Sequence, residues 1–213
     1  MVTAILMMAG NASRMHIQEN KVYLPLGNKM VFEYSLELFL SYDFEIICVI
    51  RKEDRKYLKD YETKVKIVYG GKTRQESVYH GLKEATHPYV LIHDAARPFL
   101  SKSTLEACLS SLRNNKACLV VAPCKDSVYQ RTPLKSMPRN ELALAQTPQG
   151  AKTKDFLEVH QKALEEGVSV TDDISLLLQF KDVIVELIES NDLNFKITTQ
   201  LDYITAKEWV KNA

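Results

Sequence analysis

The sequence predicts an α/β fold of the Rossmann-like type, with a mostly parallel sheet that carries helices on both faces. Six apolar runs of the length of buried strands recur along the chain, and segments with the apolar spacing of amphipathic helices lie between them. This alternation is typical of parallel sheets whose crossover helices cover both faces. The 213 residues contain no repeat and no Gly/Ser linker, so we expect a single domain over residues 1–213.

The expected strands and helices alternate along the chain. The expected strands are Val2–Met7, Glu45–Ile50, Lys66–Tyr69, Tyr89–His93, Ala117–Ala122 and Asp182–Ile188. The expected helices are Val31–Leu40, Gln75–Ala85, Lys102–Arg113, Thr153–Glu166, Asp173–Gln179 and Leu201–Lys211. Thr171 with Asp172 and Asp173 makes a suitable N-cap for the fifth helix. Ligands of open α/β sheets bind beyond the carboxyl ends of the strands, so the loops that follow strands are the candidate site.

The turn after the first strand has the residues expected of a nucleotide site. Residues Met7–Met15 read MMAGNASRM, and the small residues that let a nucleotide approach the backbone are Ala9, Gly10 and Ala12. Arg14 and Lys21 add two cations, so the segment predicts a triphosphate site. It fits neither the dinucleotide fingerprint nor the P-loop motif, and a turn with one glycine and two cations also occurs by chance.

The fourth expected strand leads into an acid at the same edge of the sheet. His93-Asp94-Ala95-Ala96-Arg97-Pro98 places Asp94 beside the first turn. Mg²⁺ prefers few protein carboxylates together with phosphate oxygens and water, so Asp94 is the expected ligand of a nucleotide-bound Mg²⁺. The alternative is a surface pair between Asp94 and Arg97, which would contribute little to stability.

The third expected strand ends in two glycines, Gly70 and Gly71, followed by Lys72, Thr73 and Arg74. Ser77 falls in the first turn of the next helix, where its hydroxyl can reach the edge of a base. The alternative is an ordinary glycine turn at the start of a helix.

Residues 125–149 interrupt the alternation of strands and helices. Two short extended pieces, Ser127–Arg131 and Leu142–Gln146, flank a stretch rich in turn residues. This pattern predicts an arm that projects from the sheet. An isolated hairpin is only marginally stable in water, so we expect the arm to pack on a second subunit; the alternative is a loose surface excursion.

Composition excludes several classes of protein. Lys and Arg number 28 against 27 Asp and Glu, and no block of one sign stands out, so nucleic acid is not expected as a partner. No apolar run approaches the roughly 20 residues that span a bilayer. The first strand begins at Val2, which leaves no room for a signal peptide and predicts a cytoplasmic protein without a membrane partner. The four cysteines are expected to be reduced, and neither they nor the five histidines are spaced for zinc.

Taken together, these segments resemble the 2-C-methyl-D-erythritol 4-phosphate cytidylyltransferase family of the non-mevalonate isoprenoid pathway. The resemblance covers residues 2–212. The family's short motifs appear here, in the family's order, as Met8–Met15, Asn20–Val22, Gly70–Val78, His93–Pro98, Asp126–Ser127, Arg139 with Thr147–Gln149, Thr171–Asp173 and Asn194–Thr198. The chain departs from the usual residues at Met8 (Ala), Ala12 (Gly), Asn20 (Pro), Val22 (Gln) and Ser127 (Thr), and it keeps every charged position expected to act in catalysis.

The resemblance implies a nucleotidyltransferase fold of the GT-A-like kind and a cytidylyltransferase activity. CMP would pass from CTP to 2-C-methyl-D-erythritol 4-phosphate, a sugar-alcohol phosphate, when a phosphate oxygen of this acceptor attacks the α-phosphorus and pyrophosphate leaves. The nucleophile is already an anion at neutral pH, so no general base is needed and catalysis rests on positioning and charge stabilisation. The implied cofactor is Mg²⁺, held by Asp94.

The resemblance also implies roles for individual residues. The catalytic residues would be Arg14, Lys21, Arg139 and Lys196. The nucleotide would bind to Met8, Ala9, Gly10, Asn11, Ala12, Gly71, Lys72, Arg74, Ser77 and Asp94. The acceptor would bind to Ala95, Arg97, Ser127, Arg139, Thr147 and Lys196. Three of these, Ser127, Arg139 and Thr147, lie on the predicted arm, so the arm is expected to complete the partner's site in a homodimer.

Three other functions fit parts of the sequence. A sister cytidylyltransferase group that uses ribitol 5-phosphate shares the glycine turn, the motif around Asp94 and the motif around Lys196; Ala96 and Ser77 favour methylerythritol phosphate over it. A nucleotide-binding regulator without turnover is conceivable because of Ala12, Asn20 and Val22, although the intact charged positions argue against it. In an NAD-dependent dehydrogenase, Glu53 or Asp54 would bind the ribose, but the glycine fingerprint is absent.

Overall fold

The computed structural model describes residues 1–10, 19–191 and 193–212. The strands are β1 (Val2–Met7), β2 (Pro25–Leu26), β3 (Lys29–Met30), β4 (Phe44–Ile50), β5 (Lys66–Tyr69), β6 (Tyr89–Asp94), β7 (Ala117–Pro123), β8 (Val128–Gln130), β9 (Lys135–Met137), β10 (Ala143–Lys152) and β11 (Val185–Glu189). The α-helices are α1 (Val31–Leu40), α2 (Arg74–Lys83), α3 (Lys102–Arg113), α4 (Thr153–Glu166), α5 (Asp173–Phe180) and α6 (Gln200–Asn212). Short 3₁₀ helices occupy Lys21–Tyr23, Lys52–Tyr61 and Arg139–Glu141.

Seven of the strands form one sheet in the order β11-β7-β10-β6-β1-β4-β5. β1 pairs in parallel with β4 and β6, β4 with β5, and β7 with β11. Only β10 runs antiparallel to its two neighbours, β6 and β7. The predicted fold class, a mostly parallel sheet in an α/β domain, is confirmed. Among the described residues, no helix is long and apolar enough to cross a membrane.

Helices cover both faces because the strands alternate their side chains. Ala4 and Leu6 of β1 face the core that α1 and α3 close. Ile5 and Met7 face the core that α2, α4 and α5 close. A smaller third core joins α6 to the β2–β3 hairpin through Leu26, Val31, Ile197 and Ala206. Cys48, Cys108 and Cys118 are buried as free thiols and Cys124 is a free, half-buried one, as predicted.

Two parts of the sequence prediction need correction. The arm is shorter than predicted. β8 lies in the first expected extended piece, but its partner is β9, in the stretch expected to be a turn, and the two form a hairpin of three residue pairs. The second extended piece, Leu142–Gln146, does not belong to the arm: from Ala143 onward it is the first part of β10, which lies in the central sheet between β6 and β7. The sequence also gave no sign of the 3₁₀ helix Lys52–Tyr61.

The composition of β10 explains why only its first residues were expected to be extended. Its apolar run ends at Ala145, and Pro148 and Gly150 follow; a proline argues against a central strand. The register shifts between Ala145 and Gln149, so that Pro148 lies at an irregularity of the ladder rather than within regular pairing. Gly150 is required by packing, because a Cβ there would lie 2.7 Å from a side-chain methyl of Leu91 and 2.8 Å from Cys118 Sγ.

Candidate active site

A cavity of about 470 Å³ opens at the carboxyl edge of the sheet, where β1, β4 and β6 end. Its described walls contain five cations, Lys21, Arg51, Lys72, Arg74 and Lys196, and Asp94 is the only acid among them. The uncharged lining residues are Met7, Ala9, Gly10, Asn20, Val22, Gly71, Thr73, Ser77 and Ala96. The excess of positive charge around small and backbone-rich surfaces suits a polyanion attached to a small aromatic group.

The first turn places Lys21 at this cavity. The sheet extends one residue beyond β1, because the Met8 amide donates to the Val49 carbonyl at 2.8 Å. Ala9 and Gly10 then line the cavity, and the chain returns at Asn20, just before the 3₁₀ helix that carries Lys21. The Lys21 residue is only 8% exposed, so its ammonium group works in a partly desolvated environment, where charge interactions are stronger than in water.

The glycine turn after β5 forms another wall of the cavity, and it needs both glycines. A Cβ on Gly70 would lie 2.7 Å from Ala9 Cβ, and one on Gly71 would lie 2.5 Å from Glu76 Cβ. Thr73 caps α2 by accepting a hydrogen bond from the Glu76 amide at 3.0 Å. Gly70 therefore lets two turns of the cavity approach each other closely, and Gly71 lets its own turn lie against the start of α2.

Ser77 shapes this turn rather than pointing a free hydroxyl at a ligand. Its Oγ accepts a hydrogen bond from the Gly71 amide at 3.0 Å and donates one to the Thr73 carbonyl at 2.8 Å. The Ser77 proton and the Gly71 amide are thus both engaged within the loop. A direct contact of either group with a base, as the sequence suggested, would have to replace these bonds.

Asp94 lies at the centre of a chain of ion pairs. Lys196 Nζ donates to Asp94 Oδ2 at 2.7 Å, and Arg74 Nε lies 3.4 Å from Asp94 Oδ1. The same Arg74 guanidinium makes two hydrogen bonds, at 3.1 and 2.8 Å, to the buried carboxylate of Asp173. Arg74 therefore bridges two acids and cannot swing freely into the cavity. Asp94 is only 8% exposed, so the alternative of a surface Asp94–Arg97 pair is wrong.

Electrostatics keep this network ionised. Burial alone would raise the pKa of Asp94, but the charges of Arg74 and Lys196 outweigh burial and hold that pKa below its ordinary value. Burial acts on Asp173 in the same direction, and Arg74 and His160 again lower the pKa. Both carboxylates therefore carry a negative charge at neutral pH, as a ligand for a cation requires.

The His93 imidazole is neutral, and it helps to hold the backbone around Asp94 in place. Burial, opposed by the Asp94 charge, lowers the pKa of His93 to about 4. The Asp94 amide donates to Thr147 Oγ1 at 3.0 Å, and this hydroxyl lies 3.0 Å from His93 Nδ1, to which it can donate in turn. On the other side, His93 Nε2 lies 3.2 Å from the Arg97 carbonyl, which can only accept. The contacts assign the tautomer with the proton on Nε2.

The structure brings most of the predicted nucleotide site together. The predicted residues that line the cavity are Ala9, Gly10, Lys21, Gly71, Lys72, Arg74, Ser77, Asp94 and Lys196. Asn11, Ala12 and Arg14 lie outside the described residues. Met8 does not line the cavity, because its side chain is fully buried in the core and only its backbone faces Asn20.

The predicted acceptor residues do not converge on the cavity within one chain. Ala95 is fully buried, and Arg97 is buried with its guanidinium donating to the Asn194 carbonyl at 2.7 Å. Thr147 is not on the arm: it lies in β10, 4% exposed, against His93. These three residues hold the backbone around Asp94 and Lys196 in place. Ser127 and Arg139 do lie in the arm region, exposed and outside the cavity, and Arg139 donates to the Lys125 carbonyl at 2.9 Å.

Sequence reasoning missed two charged residues of the site. Arg51 lines the cavity immediately after β4, and its place after an apolar strand could have identified it, as it identified Asp94. Asp173, which anchors Arg74, was interpreted only as part of a helix cap; Asp172 makes the cap, accepting from the Ser175 amide. Asp54 is buried and makes two hydrogen bonds, at 2.7 and 2.9 Å, with Arg51, so it is not available to bind a ribose.

Comparison with known proteins identifies a family with this architecture. The model of the 2-C-methyl-D-erythritol 4-phosphate cytidylyltransferase family matches residues 2–212. A protein of that name from Caldanaerobacter subterraneus is 34% identical over 99% of both chains. Another, from Clostridium tetani, is 36% identical over 98% of this chain and 89% of its own length.

A solved structure agrees with these relatives. The crystal structure of 4-diphosphocytidyl-2C-methyl-D-erythritol synthase from Anaerococcus prevotii superimposes with a TM-score of 0.88 and 31% identity, covering 99% of this chain and 98% of that one. The similarity thus extends over the whole fold and is not confined to the cavity.

Proposed function

We infer, since this chain belongs to the 2-C-methyl-D-erythritol 4-phosphate cytidylyltransferase family, that it transfers CMP from CTP to 2-C-methyl-D-erythritol 4-phosphate and releases pyrophosphate, in the synthesis of isoprenoid precursors. The observation that carries this function is the cavity itself, whose described lining residues include five cations and one ionised acid beside two turns of small residues at the carboxyl edge of the sheet. Such a surface matches a nucleoside triphosphate.

In this reaction a phosphate oxygen of the acceptor forms the new P–O bond at the α-phosphorus of CTP, and the bond to pyrophosphate breaks. The attacking oxygen is already anionic, which agrees with His93 being buried and neutral rather than placed as a base. The protein's contribution is to orient two anions and stabilise the developing charge. Lys21, on the first turn, and Lys196, on the segment before α6, are the described cations proposed for this role, and Arg14 is proposed with them.

The site fits a divalent cation that arrives with the nucleotide. Asp94 supplies one ionised carboxylate to the cavity, and the described residues contain no cluster of three or more acid, histidine or cysteine ligands. Mg²⁺ commonly binds through one or two carboxylates with phosphate oxygens and water, and this donor set matches that pattern. Bound Mg²⁺ would neutralise phosphate charge, while Lys196, now paired with Asp94, would become available to phosphate oxygens. Arg74 would stay anchored to Asp173.

We further propose that the acceptor site is completed in a homodimer. Ser127 and Arg139, the acceptor-binding residues expected on the arm, are exposed and outside the cavity of their own chain. The side chains of Tyr129 and Leu134, 58% and 79% exposed, add apolar surface to the same region, which supports packing against a second subunit. A cytoplasmic location stays a prediction from the sequence.

The test is pyrophosphate release by the purified protein with CTP and Mg²⁺, measured with methylerythritol 4-phosphate, with ribitol 5-phosphate and without an acceptor. We expect release with methylerythritol phosphate alone. Release with ribitol phosphate alone would assign the sister activity. CTP binding without release in either reaction would instead support a regulator that has lost turnover. Replacing CTP by ATP or UTP in parallel measures how strictly the small-walled cavity selects the base.

A further inference from the structure

The side chain of Asn20 joins the turn that carries Lys21 to the end of β1. Asn20 Nδ2 donates to the Met8 carbonyl at 2.5 Å, across twelve positions of sequence. Asn20 Oδ1 accepts from the Val22 amide at 3.3 Å, and the Asn20 carbonyl accepts from the Tyr23 amide at 3.0 Å. The residue lines the cavity and is 2% exposed, so water competes little for these bonds.

Both ends of this connection are fixed independently. Met8 is fully buried, and its amide continues the sheet by donating to the Val49 carbonyl. On the other side, Val22 and Tyr23 are buried, and the Tyr23 ring stacks on that of Tyr57 with the centroids 4.2 Å apart. Asn20 therefore connects two rigid parts of the molecule, and Lys21 lies between them.

Capping the short helix does not explain this arrangement. An N-cap needs only a side-chain acceptor, which Asn20 Oδ1 supplies to the Val22 amide, and Ser, Thr or Asp can supply it equally well. The bond to Met8 needs an N–H donor that is free at the same time. Among common N-cap residues only the Asn amide presents a donor and an acceptor on separate atoms.

We propose that Asn20 is a positioning residue, whose amide holds the backbone of the Lys21 turn against the end of β1 and so fixes Lys21 at the cavity. The lysine stem has four flexible carbons, so the position of the ammonium group depends on where its Cα is held. That Lys21 then stabilises charge at the α-phosphate rests on the proposed function; its placement by Asn20 does not.

The placement can be tested without turnover, by the rate at which acetic anhydride modifies each lysine, measured by peptide mass spectrometry. In Asn20→Ala we expect Lys21 to be acetylated about threefold faster or more, because a locally loosened turn exposes its amine. The rate at Lys72, an exposed residue across the cavity, should not change. Asn28→Ala makes the same chemical change in an exposed turn and should leave both rates unchanged.

Asn20→Ser distinguishes the bond to the Met8 carbonyl from the N-cap bond to the Val22 amide. Serine keeps an acceptor for the Val22 amide but cannot also reach the Met8 carbonyl, so we expect acetylation of Lys21 to rise as in Asn20→Ala. A wild-type Lys21 rate in Asn20→Ser would show that the cap is sufficient and would overturn the proposal, as would an unchanged rate in Asn20→Ala. A rise at Lys72 as large as that at Lys21 would also overturn it, because it would indicate general loosening of the protein.

Kinetics provide a second measurement once the activity is established. In an otherwise wild-type chain, Asn20→Ala should lower kcat about tenfold and change the KM for CTP less than about threefold. The reason is that displacing a catalytic group lowers mainly kcat. In a Lys21→Ala background the same substitution should cost little, because the group it positions is gone. Equal losses in both backgrounds would contradict positioning of Lys21. A wild-type protein inactive with every acceptor would contradict the proposed function and leave the acetylation result to decide on Asn20.

Discussion

The cavity and the arm are opposites in how their functional side chains are held. One connected ionic network lies around the cavity, and each of its members is fixed by at least one direct contact. Its members are Asp94, Lys196, Arg74 and Asp173. In the arm, β8 and β9 share only three residue pairs in a sheet of their own. Arg139, just beyond this hairpin, is exposed, and its guanidinium donates to a backbone carbonyl.

The difference indicates which half of the reaction one chain can prepare by itself. The described charged residues of the cavity, Asp94, Arg74 and Lys196, are held by direct contacts before the nucleotide binds, which lowers the cost of ordering them. The arm residues proposed for the acceptor lie outside that cavity, and a two-stranded hairpin is only marginally stable alone. We therefore expect damage to the cavity to abolish chemistry, and damage to the arm to act on acceptor binding and through the partner subunit.

The largest effect is expected from Asp94→Asn. The substitution keeps the shape but removes the charge that orients Lys196 and Arg74 and that is proposed to hold Mg²⁺, so kcat should fall by on the order of 10³. Steady-state pyrophosphate release at varied Mg²⁺ measures this. Asp43→Asn, the same change at an exposed position near β4, is the control and should behave as wild type. More than a tenth of wild-type kcat in Asp94→Asn would show that the network is not central to the chemistry.

Arg139→Ala should lower kcat/KM for the acceptor about a hundredfold, with the KM for CTP nearly unchanged, because a charge-assisted contact to the phosphate is lost. The sharper form of this prediction mixes Arg139→Ala with Asp94→Asn after reversible dissociation. If the arm serves the partner's cavity, a hybrid dimer has one intact site, and an equal mixture should recover about a quarter of wild-type activity.

If mass spectrometry shows that hybrid dimers have formed but the mixture recovers no activity, Arg139 belongs to the site of its own chain. The proposed division of the site, with the cavity from one subunit and the arm from its partner, would then be wrong, since both would belong to one subunit. Sedimentation of the wild type gives the matching control: an active monomer at assay concentration contradicts the shared site directly.

The site residues that could be predicted are those that belong to short local patterns in the sequence, such as a polar residue directly after an apolar strand. Asp94 follows an apolar strand and Gly71 ends another, and the edge of a parallel sheet brings such positions together, so both appear in the cavity as expected. Strand–helix alternation predicted the fold for the same reason. Three helices, α1, α3 and α4, have the predicted bounds, because their apolar spacing ends where the packed face ends.

What could not be predicted depends on contacts between distant residues. Arg74 meets Asp173 across 99 positions, and Thr147 reaches His93 across 54; no local pattern carries either contact. The first residues of β10 were predicted to be extended but were assigned to the arm, because its place between two strands is specified by Gly150 and by an irregular register, not by hydrophobicity. The same misassignment put Thr147 on the arm, which shows how one missed strand moves a residue from the interior to the surface.

The smallest expected effect concerns the pH dependence of stability, and it tests whether His93 fixes the cavity. The pKa of His93 is lowered to about 4 from an ordinary 6.5, so the unfolded chain binds a proton at higher pH than the folded one. The contribution of neutral His93 to the free energy of unfolding is complete above pH 6.5 and is lost as pH falls toward 4. Between pH 7 and pH 5 the free energy of unfolding should fall by roughly 2 kcal/mol. The buried carboxylates, Asp94 and Asp173, have lowered pKa values and ordinary values near 4, so their loss of stability lies below this window.

Urea unfolding at pH 7 and pH 5 measures this loss, and His93→Gln isolates it. Glutamine keeps a donor toward the Arg97 carbonyl but does not titrate, so the variant should be less stable at pH 7 and lose less stability at pH 5. His87→Gln, at a half-buried position, should keep the wild-type difference. If His93→Gln loses as much stability as wild type, His93 is not the group that titrates, and the arrangement of the Asp94 backbone does not depend on its neutral form.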